Sequence, residues 1–157
     1  MARKSTKEDK SIYQIYREEA GLTRAQASEA LSFITESRIE RIEYGALPQP
    51  EEVVEMALVY KKPELCNYYC SHECRIGQEF IPEVKVAGLP QIVLEMLAAL
   101  NVLEQSKERL IEISADGVIS DSEMPDFIKI RDKLEDMSLI IDSLKLWLDK
   151  TLAEDGC

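Results

Sequence analysis

Apolar residues recur at helical spacing along most of this chain, in short runs up to about residue 60 and in two long runs after residue 90. The first short run, Ser11 to Ala20, stops at Gly21. Thr23 then caps a second run that places Ala27, Ala30 and Leu31 on one face, where two small alanines would let neighbouring helices approach closely. After a turn through Ser32, Phe33 and Ile34, Thr35 caps a third helix with Ile39 and Ile42 inward. It ends in Glu43-Tyr44-Gly45, where Gly45 is free to take the left-handed conformation of a C-terminal cap. Pro48 follows, and Pro50 sits where the first turn of a fourth helix accepts it, ahead of Val53, Val54, Ala57 and Leu58.

The long runs predict a helical hairpin. Gln91 to about Ala115 carries Ile92, Val93, Met96, Leu97, Leu100, Leu103, Leu110 and Ile111 as one apolar stripe. The second arm, about Glu123 to Ala153, carries Phe127, Ile130, Leu134, Met137, Ile141, Leu144, Trp147, Leu148 and Leu152. Arms of about 25 to 31 residues run roughly 37 to 46 Å. They cannot bury all their apolar faces on each other, so the rest must be covered by a second copy or by the N-terminal bundle. The bend places Gly117, Ile119 and Glu123 as in a calcium-binding loop, but its first and third ligand positions are Glu112 and Ser114. Gly117 as a helix stop and Ser120 with Glu123 as a capping box account for the same residues.

Composition narrows the class. The 157 residues are 45% hydrophobic and only 6% aromatic, with a net charge of −11. Residues 1–62 hold ten Lys/Arg against eleven Asp/Glu, and the remainder nine against nineteen. An acidic body suppresses non-specific adhesion to nucleic acid and leaves recognition to a few placed contacts. Arg3, Lys4, Lys7 and Lys10, with Glu8 and Asp9 among them, form an arm ahead of the first helix that reads as a solvated tail with phosphate contact as its other use. No apolar run approaches membrane-spanning length and the N-terminus is charged, so a soluble cytoplasmic protein is expected. With no Gly-rich phosphate loop, no serine nucleophile motif and one histidine, the chain offers no catalytic constellation, and no enzyme is expected.

The string Arg17-Glu18-Glu19-Ala20-Gly21-Leu22-Thr23, then Leu31, then Thr35-Glu36-Ser37-Arg38-Ile39-Glu40-Arg41-Ile42-Glu43, with Gly45 and Pro50, resembles the helix-turn-helix domain of phage-repressor and xenobiotic-response-element (Cro/C1-type) transcriptional regulators. The resemblance covers roughly Ser11 to Pro63. It departs from the family at Ala27-Ser28, where a bulky apolar residue and Ala are usual, and by one extra residue around Phe33. It implies a lambda-repressor-like bundle of about five short helices whose third helix enters the major groove of double-stranded DNA N-terminus first. Carried over by position, it implies Glu36, Ser37, Glu40 and Arg41 as the groove-facing set, Arg38 near a phosphate or base edge, and Arg24 on the phosphate side. A guanidinium at Arg41 suits a guanine edge, whereas carboxylates at Glu36 and Glu40 are repelled by phosphate and useful mainly to cytosine.

Three of four cysteines and the only histidine fall within nine residues, at Cys66, Cys70, His72 and Cys74. On a helix, steps of four drift by about 40° and keep the three thiols to one side. Four such ligands suit tetrahedral zinc, and three thiolates with an open position suit an iron-sulfur cluster or a redox sensor. The alternative makes Cys66 and Cys70 small buried hydrophobes that close the bundle. Cys157 reads as a free exposed thiol.

The chain is therefore expected to be all-α, a five-helix helix-turn-helix bundle followed by a long antiparallel helical hairpin. The expected organisation is a DNA-binding domain at 1–74 that ends in the Cys-rich segment, a linker at 75–90, and a dimerising or regulatory hairpin at 91–157. The expected function is sequence-specific transcriptional regulation as a homodimer, the alternatives being an assembly protein that keeps the fold without reading DNA and a redox or metal sensor.

Overall fold

A computed structural model describes residues 10–155. The basic residues Arg3, Lys4 and Lys7, with Glu8, Asp9 and Cys157, lie outside the described residues. Eight helices and no strand are present among the described residues: α1 (Ile12–Glu19), α2 (Arg24–Ala30), α3 (Glu36–Glu43), α4 (Pro50–Val59), α5 (Glu64–His72), α6 (Arg75–Phe80), α7 (Leu89–Ser114) and α8 (Met124–Asp155). The protein is all-α, short helices first and long ones last, as the hydrophobic spacing predicts. It divides into two compact units, one of residues 1–83 with 148–157 and the other of residues 84–147.

In the first unit α1, α2 and α3 each begin at a side chain that accepts from an N–H group of the first turn. Ser11 accepts from Gln14 N, Thr35 accepts from Arg38 N, and Thr23 with Gln26 forms a reciprocal capping box. At α4, the Glu52 carboxylate accepts from Gln49 N at 2.7 Å. Gly45 closes α3 at φ 101°, a conformation costly for any residue with a Cβ.

The core is built from Tyr13, Ala27, Leu31, Ile34, Ile39, Ile42, Val53, Met56, Ala57, Tyr60 and Leu65. Full burial of a Leu or Ile side chain is worth about 1.5–3 kcal/mol each. Ala30, expected beside Ala27, is instead exposed. Four residues return closer to the starting direction on a helix than three do, so Leu31 takes the inward place. Val54 and Leu58 likewise lie outside while Val53 and Ala57 lie inside.

The stretch read as a linker from residue 75 opens with a helix. Arg75–Phe80 forms α6, and Gly77 is the reason it packs where it does. A Cβ built on Gly77 would overlap the carbonyl of Cys70 on α5, so only glycine allows the two backbones to approach so closely. The sequence offers Gly77 as punctuation, whereas its role is packing. From Leu148 onward α8 belongs to the first unit, where Lys150 donates to Glu64 Oε1 at 3.1 Å.

The second unit holds α7 and the greater part of α8. Near the bend, Arg109 Nε donates to Asp126 Oδ2 at 3.0 Å and ties the arms together. Ile92 and Ile113 on α7 and Ile130, Met137 and Leu146 on α8 are buried. Val93, Leu97, Leu100 and Ile111 are exposed, so the single stripe expected on α7 divides between two faces. In the bend Glu123 accepts from Ser120 N at 2.9 Å and from its hydroxyl at 2.5 Å, and Asp116 accepts from Val118 N. The carboxylates that resemble calcium ligands thus cap the local backbone.

Candidate nucleic-acid interface

Helix α3 carries the residues that the sequence singles out, and its two sides are chemically distinct. Ile39, Ile42 and Glu43 face inward and are buried, while Glu36, Ser37, Glu40, Arg41 and Tyr44 are exposed. The 3.6-residue period produces this division.

Glu43 is the unexpected member of the inward set. Its carboxylate accepts from Arg17 Nε at 2.6 Å and Nη2 at 3.2 Å, and from Arg24 Nε at 2.8 Å. Arg17 also donates to the Leu22 carbonyl at 2.7 Å, so the guanidinium stitches α1, the following turn and α3 together. A carboxylate held out of water is stable only when its lone pairs are met, and here two guanidinium groups meet them.

Arg24 then continues the network outward. Its Nη1 lies 2.9 Å from Glu40 Oε1, and its guanidinium carbon lies 5.5 Å from the centre of the Tyr44 ring. The residue assigned to the phosphate side therefore spends its charge on two carboxylates of α3. Arg38 behaves alike: it donates to Glu52 at 2.7 and 2.6 Å and to the Leu47 carbonyl at 3.0 Å. The bidentate Arg38–Glu52 pair braces α3 against α4 and holds the Glu52 carboxyl below its ordinary pKa.

Arg41 is different. It is exposed, and its side chain has neither a hydrogen bond nor an ion pair among the described residues. Glu36 is also exposed and unpaired among them, while the Ser37 hydroxyl lies 3.2 Å from that of Thr35. Arg24, Thr35, Glu36, Ser37 and Glu40 line a concavity of about 420 Å³ at the start of α3. All six sequence-selected residues thus lie on α3 or pack against it. Only Glu36, Ser37 and Arg41 present side chains free of an ion pair.

Sequence reasoning assigned no role to Arg17, Glu43, Tyr44 and Glu52. Arg17 and Glu43 stand in the string that carries the family resemblance, yet periodicity cannot show that residues 26 apart share a buried ion pair. Glu52 reads from sequence only as a first-turn acid.

The Cys-rich segment does not assemble a ligand set. Among the described residues no group of three or more His, Cys, Asp or Glu side chains is placed to hold a metal ion. Cys66 packs half-buried against the core, and burial raises the pKa of its thiol. Cys74 leaves α5 and caps α6, accepting from Gly77 N at 3.5 Å. His72 stacks on Tyr68 with ring centres 4.5 Å apart. Cys66, Cys70 and Cys74 are free thiols, and α6 draws Cys74 to its own N-terminus rather than back along α5.

The family model of a helix-turn-helix domain matches residues 14–62, which span α1 to α4 and both ion-pair braces. This segment is a helix-turn-helix domain, as its resemblance to the Cro/C1-type regulators implies. No curated protein and no solved structure matches the chain significantly. No described helix is long and apolar enough to cross a membrane.

Proposed function

We propose that this helix-turn-helix protein is a sequence-specific DNA-binding regulator of transcription that acts in the cytoplasm and reads the major groove as a dimer. The observation that carries the reading is Arg41, an unpaired guanidinium on the outer side of α3, a helix braced from behind by Arg17–Glu43 and Arg38–Glu52. A guanidinium so placed can donate two parallel hydrogen bonds to the O6 and N7 acceptors of guanine. Ser37 stands one turn earlier on the same side and suits a phosphate or base edge. Glu36 at the first turn can accept from a cytosine amino group.

Dimerisation follows from economy of contacts. One α3 with a single unpaired arginine offers little affinity, and a paired half-site doubles it. Val93, Leu97 and Leu100 on α7 and Leu134 and Ile141 on α8 are exposed apolar surface within one unit and suit cover by a second copy.

A second reading has its own support. Arg24 and Arg38 are engaged with carboxylates of the domain, and Glu36 and Glu40 add negative charge to the expected DNA face. An acidic, exposed helix of this kind suits a protein partner. Selection of duplexes by purified protein from a genomic fragment library, at two salt concentrations, separates the readings. A regulator enriches defined sites, loses affinity as salt rises, and loses selectivity on Arg41→Ala. No enrichment at low salt abandons DNA reading in favour of the protein partner.

A further inference from the structure

A second concavity, of about 400 Å³, lies on the first unit apart from the outer side of α3. Tyr13 of α1, Tyr68 and His72 of α5, Glu73 at the end of α5, and Gly45 and Leu47 of the turn after α3 line it. Its size falls in the range of small-molecule sites, about 300–1,000 Å³, and its lining has the expected mixture of aromatic walls and a few convergent polar groups. Neither the DNA-reading face nor the hairpin uses it.

The one carboxylate of its lining is Glu73. No lysine or arginine lines the concavity. Glu73 supplies a carboxylate, whose Oε2 accepts from the Tyr13 hydroxyl at 2.6 Å, and Oε1 has no hydrogen-bond partner among the described residues. Burial, with the Glu73 carboxylate next, raises the Tyr13 pKa far above its usual value, so the phenol remains a neutral donor. His72 Nε2 lies 3.8 Å from Glu83 Oε2, a carboxylate outside the lining. The C-terminal ends of α3 and α5 both border the concavity, and each brings the negative end of a helix dipole. The N-terminus of α1 brings the opposite sign, but the Ser11 hydroxyl already satisfies Gln14 N there.

Aromatic rings add to the same preference. Tyr13 and Tyr68 meet at 83° with centres 6.4 Å apart, and Tyr68 stacks on His72 at 16°. Tyr13 is only 3% exposed and His72 covers one face of Tyr68, so the aromatic surface on offer is the remainder of the Tyr68 ring. A carboxylate with a vacant oxygen beside that ring is complementary to a flat group that carries N–H donors and a positive charge.

We propose that this concavity binds a small organic cation, an aromatic amine or amidine, with Glu73 as its counter-ion and the Tyr68 ring beside it. The ligand would touch Gly45 and Leu47, the turn that closes α3. The site stands on its own geometry, and its test needs no DNA.

The test is titration of the full chain, by calorimetry and by amide chemical shifts, with benzamidine and with two uncharged or anionic counterparts, benzyl alcohol and benzoate. Benzamidine should saturate with a dissociation constant below about 1 mM and bind at least ~10-fold more tightly than either counterpart. Shifts should centre on Gly45, Leu47, His72 and Glu73. Glu73→Gln, checked for an unchanged thermal transition, should weaken benzamidine at least ~10-fold, while Tyr13→Phe keeps the carboxylate and should retain the preference for the cation. The net charge of −11 makes loose cation binding elsewhere the competing explanation. Shifts spread over the acidic helices, equal affinity for benzoate, no saturation at 10 mM, or undiminished binding by a folded Glu73→Gln would each overturn the proposal.

Discussion

Glu43 Oε1 lies 2.6 Å from Arg17 Nε, with the two side chains only 1% and 7% exposed, and this pair joins α1 to α3 across 26 residues of chain. It fixes the rotation of α3 about its axis, because Glu43 can reach Arg17 only while Ile39 and Ile42 point into the core. The same rotation puts Ser37 and Arg41 outside.

Removing one partner should therefore be far worse than removing a surface pair. Glu43→Gln leaves the buried Arg17 with only the half-exposed Glu18, at 3.9 Å, as counter-charge, and a loss of about 3 kcal/mol is expected. Urea unfolding followed by circular dichroism measures it, and a loss below about 1 kcal/mol would show that the pair is dispensable.

Arg41→Ala and Arg38→Ala should separate reading from bracing. Arg41→Ala leaves the unfolding midpoint unchanged and costs about 1–3 kcal/mol in binding to the selected site, with relaxed preference at one base pair. Arg38→Ala abandons the Glu52 carboxylate and should cost about 1–3 kcal/mol in stability. Fluorescence anisotropy with specific and mismatched duplexes, beside thermal melts, checks both. Equal melts for the two variants would contradict the assignment.

The Arg38–Glu52 pair carries a pH signature. Arg38 donates to Glu52 and lowers its pKa from the ordinary 4.5, against the opposing effect of burial. A carboxyl whose folded pKa is depressed contributes stability above its unfolded value, and that contribution is lost as pH falls through the folded one. The stability gap between the wild type and Glu52→Gln should be constant from pH 7 to about 5 and close as pH falls below about 4.5. Unfolding free energies at pH 7, 5 and 3 test this, and a gap as wide at pH 3 as at pH 7 contradicts it.

Gly77→Ala addresses the unexpected helix. A Cβ there meets the backbone of Cys70 rather than a movable side chain, so α6 must shift from α5 at a cost of about 1–3 kcal/mol. Hydrogen exchange should accelerate across Arg75–Phe80 while α1 to α4 keep their protection. Unchanged exchange in α6 would show that the close approach is not needed.

Much of the fold was legible because local chemistry specifies it. Thr23 and Thr35 each cap the helix that follows, and Gly45 takes the positive φ that its place after α3 requires. The residues that the family resemblance assigns to DNA contact, Arg24, Glu36, Ser37, Arg38, Glu40 and Arg41, lie on α3 or against it. Their chemistry was not legible. Arg24 and Arg38 are chemically indistinguishable from Arg41 in the sequence, yet the first two are neutralised by Glu43, Glu40 and Glu52. The same holds for Cys66, Cys70 and Cys74, whose spacing suggests one group and whose helices separate them in role.

The sequence alone determined where helices start and stop, which face of each is apolar, and that a helix-turn-helix opens the chain, because caps, glycines and a 3.6-residue period act within a few residues. Tertiary structure decided which charges remain available. Whether a guanidinium meets a carboxylate depends on side chains brought together from distant parts of the chain, so only packing could bury Glu43 between two arginines and leave Arg41 unpaired.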